Sequence, residues 1–342
     1  MINFGVIGYG YWGPNLVRNF SEAPGARVAA VSDLSSARLS QVSTRYPTIK
    51  TTQNHLDVLS DPTIDAVAIA TPVSTHFELA MQALRAGKHV WVEKPLAANS
   101  EQGERLIDEA LRCKRTLIVD HTFVYTGAVR KIKELVDDGR LGKLYYYDSV
   151  RVNLGLFQHD VNVLWDLAVH DFSIMDYVFN DKPSFVAATG IAHLPGQPKD
   201  VAYMTCFFES NLIAHFHVNW LAPVKVRRTL LGGDRQMIVY DDLEPSEKIK
   251  VYDKGITVNN GTDTRYQMLV GYRSGDMWAP QLSTMEALQV EARHFMECIE
   301  NGTPPITDGI TGLRLVRILE AATASMSQRG RPLELHLEEI HA

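Results

Sequence analysis

The sequence predicts an α/β protein of two domains: a doubly wound parallel sheet over residues 1–121, then an α+β domain over residues 122–342 with an open, mostly antiparallel sheet. Three observations predict it. A glycine-rich turn joins a first apolar run to a first helical pattern. Apolar runs then alternate with helical patterns as far as His121, the signature of a parallel sheet covered by helices on both faces. Beyond that point, runs rich in Val, Tyr, Phe and Thr succeed one another across short polar or glycine turns, as antiparallel strands do.

Taken in order, Ile2 to Ile7 reads as a strand, and Gly8, Gly10 and Gly13 follow in G-x-G-x-x-G spacing with Tyr11 and Trp12 between them. A helix and a second strand, Val28 to Val31, lead to Asp33. This is the order of a Rossmann dinucleotide site. The first glycine permits the tight turn, the second lets backbone N–H groups approach a pyrophosphate, and the third lets helix and strand pack closely. The phosphates sit at the helix N-terminus, and an acid about twenty residues on accepts the ribose hydroxyls. A helix over Ala37 to Tyr46, a short crossing to the segment His55 to Leu59, a buried strand Ala66 to Ala70 ending in Thr71-Pro72, and a helix His76 to Ala86 stopped by Gly87 come next. Val90 to Val92, closing in Glu93-Lys94-Pro95, a helix Ser100 to Cys113 and a strand Thr116 to Val119 complete the domain. Ligands of such sheets bind outside the carboxyl ends of the strands, so the glycine turn, Asp33, Thr71-Pro72 and Glu93-Lys94-Pro95 are expected along one rim.

The second half opens with a helical pattern, Gly127 to Asp138. Strands are expected over Leu144 to Asn153, Phe185 to Ala192, Ala202 to Glu209, Ile213 to Trp220, Lys225 to Leu231, Met237 to Tyr240 and Ile249 to Tyr252. One helix, Val163 to Phe179, is inserted, and two more, Thr284 to Glu300 and Gly309 to Ser327, follow. So few helices leave one sheet face uncovered, which argues for a homo-oligomer, a dimer or tetramer, built through that face.

Bulk properties exclude several classes. The net charge is −6 with no basic cluster, a poor match to nucleic acid or an anionic membrane. Cys113, Cys206 and Cys298 are far apart and in no C-x-x-C pair, which fits a reducing compartment and argues against a disulfide framework or a thiolate metal site. No basic flank with a cleavage site opens the sequence and no apolar run is long enough to span a bilayer, so the cytoplasm is expected.

Two groups could handle protons. Lys94 stands at a strand end before a proline, where restriction of its backbone or a cis peptide would aim the ammonium into the cleft to meet the oxygen of a carbinol or ketone. The same lysine would equally suit a pair with Glu93 or a solvated sheet edge. Asp166 and His170, four apart on the inserted helix, are neighbours on one face. A carboxylate there orients and tunes the one side chain that titrates near neutrality, although an exposed ion pair would carry the same spacing. His215 and His217, two apart on a strand, face the same way; without a third ligand they read as a packed or interface pair, and no metal is expected.

These residues resemble the glucose-fructose oxidoreductase, inositol dehydrogenase and MocA family of nicotinamide-dependent oxidoreductases. The likeness rests on the glycine triplet with Asp33, Ala70-Thr71-Pro72 with His76, Gly87-Lys88-His89-Val90 followed by Glu93-Lys94-Pro95, and Asp166-x-x-x-His170, and it spans nearly the whole chain. It implies hydride transfer between a nicotinamide and a sugar or cyclitol carbon, with Lys94 on the substrate oxygen, His170 as proton acceptor beside Asp166, and Thr71, His76 and Glu93 lining the cofactor. Ala168 replaces the glycine common between that acid and histidine, while Asp171 and Ser173 leave no further acid assigned to the relay. Asp33 opposes a 2′-phosphate and favours NAD over NADP, with Arg38 nearby to accommodate the second. Gly8 to Asn15 and His121 to Tyr125 are similar to the nucleotide-sugar branch, which implies oxidation at ring carbon 3. Asn153, His159 and Asn162 in the loop before the inserted helix are the expected sugar contacts, together with Lys94 and His170. The competing readings are a ketosugar or inosose reductase running the same chemistry backwards, and a non-catalytic NAD-binding sensor, which would be expected to lose the polar trio that this chain keeps.

Overall fold

The computed structural model describes residues 1–155, 161–253, 255–258 and 270–337. The chain forms two compact units, one made of Met1–Tyr125 with Met285–Glu320, the other of Thr126–Thr284 with Ala321–Leu337.

The first unit contains β1 (Ile2–Ile7), α1 (Gly13–Glu22), β2 (Ala26–Ser32), α2 (Ser36–Arg45), β3 (Lys50–Thr52), α3 (His55–Leu59), β4 (Ala66–Ile69), α4 (His76–Arg85), β5 (His89–Glu93), α5 (Ser100–Cys113) and β6 (Leu117–Asp120). The strands are all parallel in the order β3-β2-β1-β4-β5-β6. The order reverses between β1 and β4, which is where a doubly wound sheet opens a crevice at its strand ends. Every residue of β4 is buried, as expected of a central strand covered on both faces. Local signals set the helix starts: Ser35 accepts from Arg38 N to begin α2, and Asn99 accepts from Gln102 N to begin α5.

The second unit contains α6 (Gly127–Asp137), β7 (Leu144–Leu154), α7 (Val169–Val178), β8 (Phe185–Ile191), β9 (Val201–Phe207), β10 (Ile213–Asn219), β11 (Leu221–Gly233), β12 (Met237–Asp241), β13 (Ile249–Tyr252), the hairpin β14 (Gly255–Val258) and β15 (Val270–Arg273), and the short strands β16 (Met277–Trp278) and β17 (Leu333–Glu334). Its nine-stranded sheet runs β16-β13-β12-β11-β7-β10-β9-β8-β17, antiparallel except where β10 lies parallel to β7. Alternation sends Ala214, Phe216 and Val218 of β10 inwards against α7, where Phe172 meets Phe216 edge-on at 4.8 Å. The opposite face leaves Phe185, Ile191, Tyr203, Phe207 and Ile213 exposed. Strand β11 starts earlier than its apolar run suggests, because Pro223 falls in a register irregularity between Leu221 and Val226 and a bulge tolerates the missing N–H.

Two further features depart from the sequence reading. The segment holding α8 (Ala287–Asn301) and the start of α9 (Gly309–Ser327) belongs with the first unit, so one boundary at residues 121 and 122 does not describe the chain. Phe295 of α8 explains this: it packs edge-on to Trp91 of β5 at 5.7 Å, beside Phe20, which stacks on Phe4 at 4.1 Å. A helical pattern reports that a face is apolar, not which core receives it. The inserted helix is also not uniform, since Leu164–Ala168 forms a π-turn ahead of α7.

Candidate active site

The turn after β1 shows why its glycines are needed. Gly8 has φ +98°, and a Cβ on it would lie 2.5 Å from the carbonyl oxygen of Ala70 at the end of β4. A Cβ on Gly13 would lie 2.3 Å from the Gly8 carbonyl oxygen. At Gly10 the nearest atom is Arg38 Nη1 at 3.8 Å, so the peptide there is open to close approach. Tyr11 is exposed, while the Trp12 indole donates to Asp120 Oδ2 at 2.7 Å. Trp12 precedes α1, and its carbonyl accepts from Asn15 N and Leu16 N. The first-turn N–H groups of α1 are thus presented beyond the strand ends, where an anion is favoured.

Asp33 follows β2 and is buried. Its Oδ2 accepts from Tyr9 N at 2.7 Å and its Oδ1 from Ser35 N at 2.8 Å, which ties the acid to the glycine turn. The guanidinium of Arg38 stands 3.5 Å from Asp33 Oδ2 and is half exposed. A turn that excludes Cβ atoms, an open second glycine and an acid held at the next strand end together fit a dinucleotide.

Two more strand ends complete this rim. After β4, Thr71 accepts from the Thr75 hydroxyl at 2.7 Å. After β5, the Lys94–Pro95 peptide is cis. His76 joins the two turns: Nε2 lies 2.9 Å from the Thr71 carbonyl and Nδ1 2.9 Å from the Pro95 carbonyl, with the ring 1 % exposed. Burial, and to a smaller degree the charge of Lys94, push its pKa down against the pull of those two carbonyls. Expected as a cofactor contact, His76 turns both ring nitrogens to protein carbonyls. Glu93 lies in register with Asp120 on β6.

In the second unit, Asp166 sits in the π-turn and accepts from Trp220 Nε1 at 2.9 Å. His170 is the second residue of α7 and is partly buried, its carbonyl accepting from the Ser173 hydroxyl. Asp171 faces the other way, buried and held by Arg151 of β7 through two bonds of 2.8 and 2.9 Å. Asn162 caps the turn, its Oδ1 accepting from Leu164 N at 3.0 Å, and it lines an open cavity of about 340 Å³ with Lys199 and Thr323. Asn153 is partly buried near the end of β7, and His159 lies outside the described residues. His215 takes part in a hydrogen bond with Thr205, and His217 stacks on Tyr203 at 4.5 Å; no group of three potential metal ligands occurs among the described residues.

Residues 2–121 match the family model described as "Oxidoreductase family, NAD-binding Rossmann fold", and residues 129–239 match the "GFO/IDH/MocA C-terminal domain". The chain belongs to the Gfo/Idh/MocA oxidoreductase family. It is therefore an enzyme of the dehydrogenase type with an NAD-binding Rossmann domain. Among curated members it is 25% identical to scyllo-inositol 2-dehydrogenase (NAD(+)) of Bacillus subtilis, covering 100% of this chain and 97% of that one. It is 24% identical to UDP-N-acetylglucosamine 3-dehydrogenase of Acidithiobacillus ferrooxidans over 91% of this chain and 93% of the relative. The aldose-aldose oxidoreductase of Caulobacter crescentus shares the fold with a TM-score of 0.83 at 20% identity, covering 98% of this chain and 99% of that one.

Arg151, Trp220 and Asp120 were not singled out from sequence as partners of the site residues. A signal existed for one of them: alternation along β7 puts Ser149 and Arg151 on the same inward face as Tyr147, and a buried arginine demands a carboxylate.

Proposed function

We propose that this enzyme oxidises a secondary alcohol of a sugar or cyclitol, a nucleotide-linked sugar at ring carbon 3 in the first instance, with NAD as the coenzyme. A bound nicotinamide supplies the acceptor for the hydrogen and electron pair lost from the carbinol carbon. The peptide groups from Gly8 to Gly13 hold the pyrophosphate and Asp33 the adenosine ribose, whose 2′-phosphorylated form meets repulsion from the Asp33 carboxylate. Thr71 and Glu93 line the coenzyme, and His76 braces the two turns that carry them. Lys94 holds the substrate oxygen and steadies its alkoxide character. His170 takes the hydroxyl proton, with Asp166 orienting it, and Asn153 and Asn162 contact the sugar.

The observation that carries this reading is the first unit's rim, where Lys94 stands two strands along from a turn whose Gly8 and Gly13 leave no room for a Cβ and whose Gly10 is open. The relatives act on inositols and on UDP-N-acetylglucosamine by name, which supports a cyclitol or nucleotide sugar as substrate. The exposed apolar sheet face supports a homo-oligomer through the second unit's sheet, and a monomer by sedimentation at micromolar concentration refutes that part. Three free cysteines suit the reducing cytoplasm.

The test is turnover of inositols and UDP-sugars with NAD and with NADP, followed by NADH absorbance, beside calorimetric NAD binding. Lys94→Met and His170→Ala are expected to lower kcat by roughly 10²–10⁴-fold while NAD still binds. Undiminished turnover in either variant removes the assigned chemistry. NAD binding with no turnover of any polyol by the parent favours the sensor.

A further inference from the structure

Behind the glycine turn lies a group of buried polar side chains that the chemistry above does not use. Asp120, the last residue of β6, is 2 % exposed, and three donors converge on it: Trp12 Nε1 at 2.7 Å, Trp91 Nε1 at 3.4 Å, and the Thr122 hydroxyl. Glu291 of α8 is 0 % exposed, and neither of its oxygens has a well-formed hydrogen bond. Burial, then the charge of Asp120, then that of Glu93 hold the Glu291 carboxyl well above the usual range, against one backbone N–H at His121. Burial raises Asp120 too, but Thr122, Trp12, Trp91 and Glu291 all pull it back.

Two adjacent carboxylates cannot both ionise in a site without water. The donor count decides which one does. Asp120 has three donors to solvate a charge, so the charge settles there and the proton settles on Glu291. A neutral Glu291 also adds no second negative charge behind a turn that has to receive phosphates.

The place of Trp12 gives the pair a consequence for binding. Trp12 is the residue from which α1 starts, and it has no side-chain cap of its own. Its indole is fixed instead by a charged acceptor at the far edge strand of the sheet. Fixing the indole fixes the peptide groups on either side of it, which are those of the phosphate turn.

We propose that Asp120 and Glu291 are positioning residues for the dinucleotide: a protonated Glu291 keeps Asp120 as the single buried anion, and Asp120 holds Trp12 so that the turn from Gly10 to Gly13 keeps its phosphate-receiving form. This rests on the reading of that turn as the coenzyme cradle. It does not depend on the substrate or on Lys94 and His170.

The experiment is calorimetric titration with NAD and with ADP-ribose, which carries the pyrophosphate but no nicotinamide. Trp12→Phe keeps the ring and removes the N–H, and Asp120→Asn keeps an acceptor and removes the charge. Each is expected to weaken both ligands about tenfold, the first by removing the charge-assisted hydrogen bond and the second by making it a neutral one. Because the two act through one bond, the double variant is expected to bind no more than about threefold worse than either single one. Glu291→Ala is expected to weaken binding similarly, and Glu291→Gln, neutral and able to donate, to restore most of it. Single variants that bind ADP-ribose like the parent, or a double variant with the full product of about a hundredfold, overturn the proposal. If Asp120→Asn does not fold, the Trp12→Phe and Glu291 arms decide by the same criteria. A parent that binds neither ligand overturns the coenzyme reading and this proposal with it, whereas a binding parent with unaffected variants overturns only the positioning role.

Discussion

Replacing Gly13 by alanine sets two physical effects against each other, and the structure says which prevails. Gly13 is the first residue of α1, and in a helix interior alanine is favoured over glycine by up to about 1 kcal/mol. Propensity therefore predicts a slightly more stable protein. Packing predicts the reverse, because the new Cβ would stand 2.3 Å from the Gly8 carbonyl oxygen, and real contacts of that kind do not come under 3.0 Å. Relief needs a shift of at least 0.7 Å (3.0 − 2.3) in a backbone that cannot rotate away as a side chain would. Gly8 has little freedom to supply it, since its own N–H is tied to Ser32 O at 2.7 Å and the Ala70 carbonyl closes its other side. Overpacking of this size costs about 1–3 kcal/mol, more than the propensity gain at a helix end. The strain falls on the phosphate turn, so NAD affinity is expected to drop by roughly tenfold to a hundredfold, with a melting temperature lower by a few degrees. Calorimetric NAD titration and a thermal melt of Gly13→Ala measure both. A variant that binds NAD with parental affinity and melts higher refutes the packing argument.

Two further predictions concern stability. His89 accepts a hydrogen bond from Thr116 N on Nδ1, and burial, with the charge of Arg115 adding, lowers its pKa to about 4. The folded state thus binds fewer protons than the unfolded one between pH 4 and 6.5, so the stabilisation is complete above pH 6.5 and is lost as the pH falls towards 4. Discounted for partial exposure, the loss is about 2 kcal/mol; urea unfolding should show the gap between the parent and His89→Gln changing by that amount, and parallel pH curves would rule it out. Arg151→Met strands the buried Asp171 carboxylate and is expected to cost about 3–5 kcal/mol, much of it recovered when Asp171→Leu is added. A loss below about 1 kcal/mol for the single change, in the same unfolding assay, refutes the assignment of a dry ion pair.

What was legible in the sequence is what nearest neighbours along the chain decide. The ends of β1, α5, β13 and α9 agree with their apolar periods and caps to the residue. The glycine triplet announced its own geometry, because Gly8 and Gly13 are each closed by a backbone carbonyl at the turn while Gly10 is left open. What stayed hidden depends on partners far along the chain. Asp120 falls just beyond the strand read as Thr116 to Val119, and only the fold brings Trp12, 108 positions earlier, onto it. Glu291 lies within a helix whose pattern does not say which core receives it, and α8 belongs to the first unit, where Glu291 is buried. The π-turn is a compromise among tertiary contacts: Asn162 caps it, Trp220 holds Asp166 within it, and Val163, Leu164 and Trp165 are buried around it. No local period encodes that balance.

The ion pair beneath α7 shows what such hidden partners contribute. Against a well-packed apolar pair of similar volume, a buried ion pair adds little or nothing to stability, so its value has to be sought in direction. The two parallel bonds from Arg151 to Asp171 admit one rotational setting of α7 about its axis, whereas the contact of Phe172 with Phe216 tolerates small rotations. With Asp171 pinned towards β7, its partly buried neighbour His170 is set about 100° further round the helix. On the other side of the π-turn, Trp220 pins Asp166 by a second directional bond. The two pins bracket the turn, so the extra residue it holds has nowhere to migrate along the helix. Relocating it would move one of the two acids off its partner and leave a buried donor unmatched, at the cost that burial sets on such groups. The geometry between Asp166 and His170 is in this way set by residues that touch neither substrate nor coenzyme, which is why spacing in the sequence identified the pair without showing what holds it.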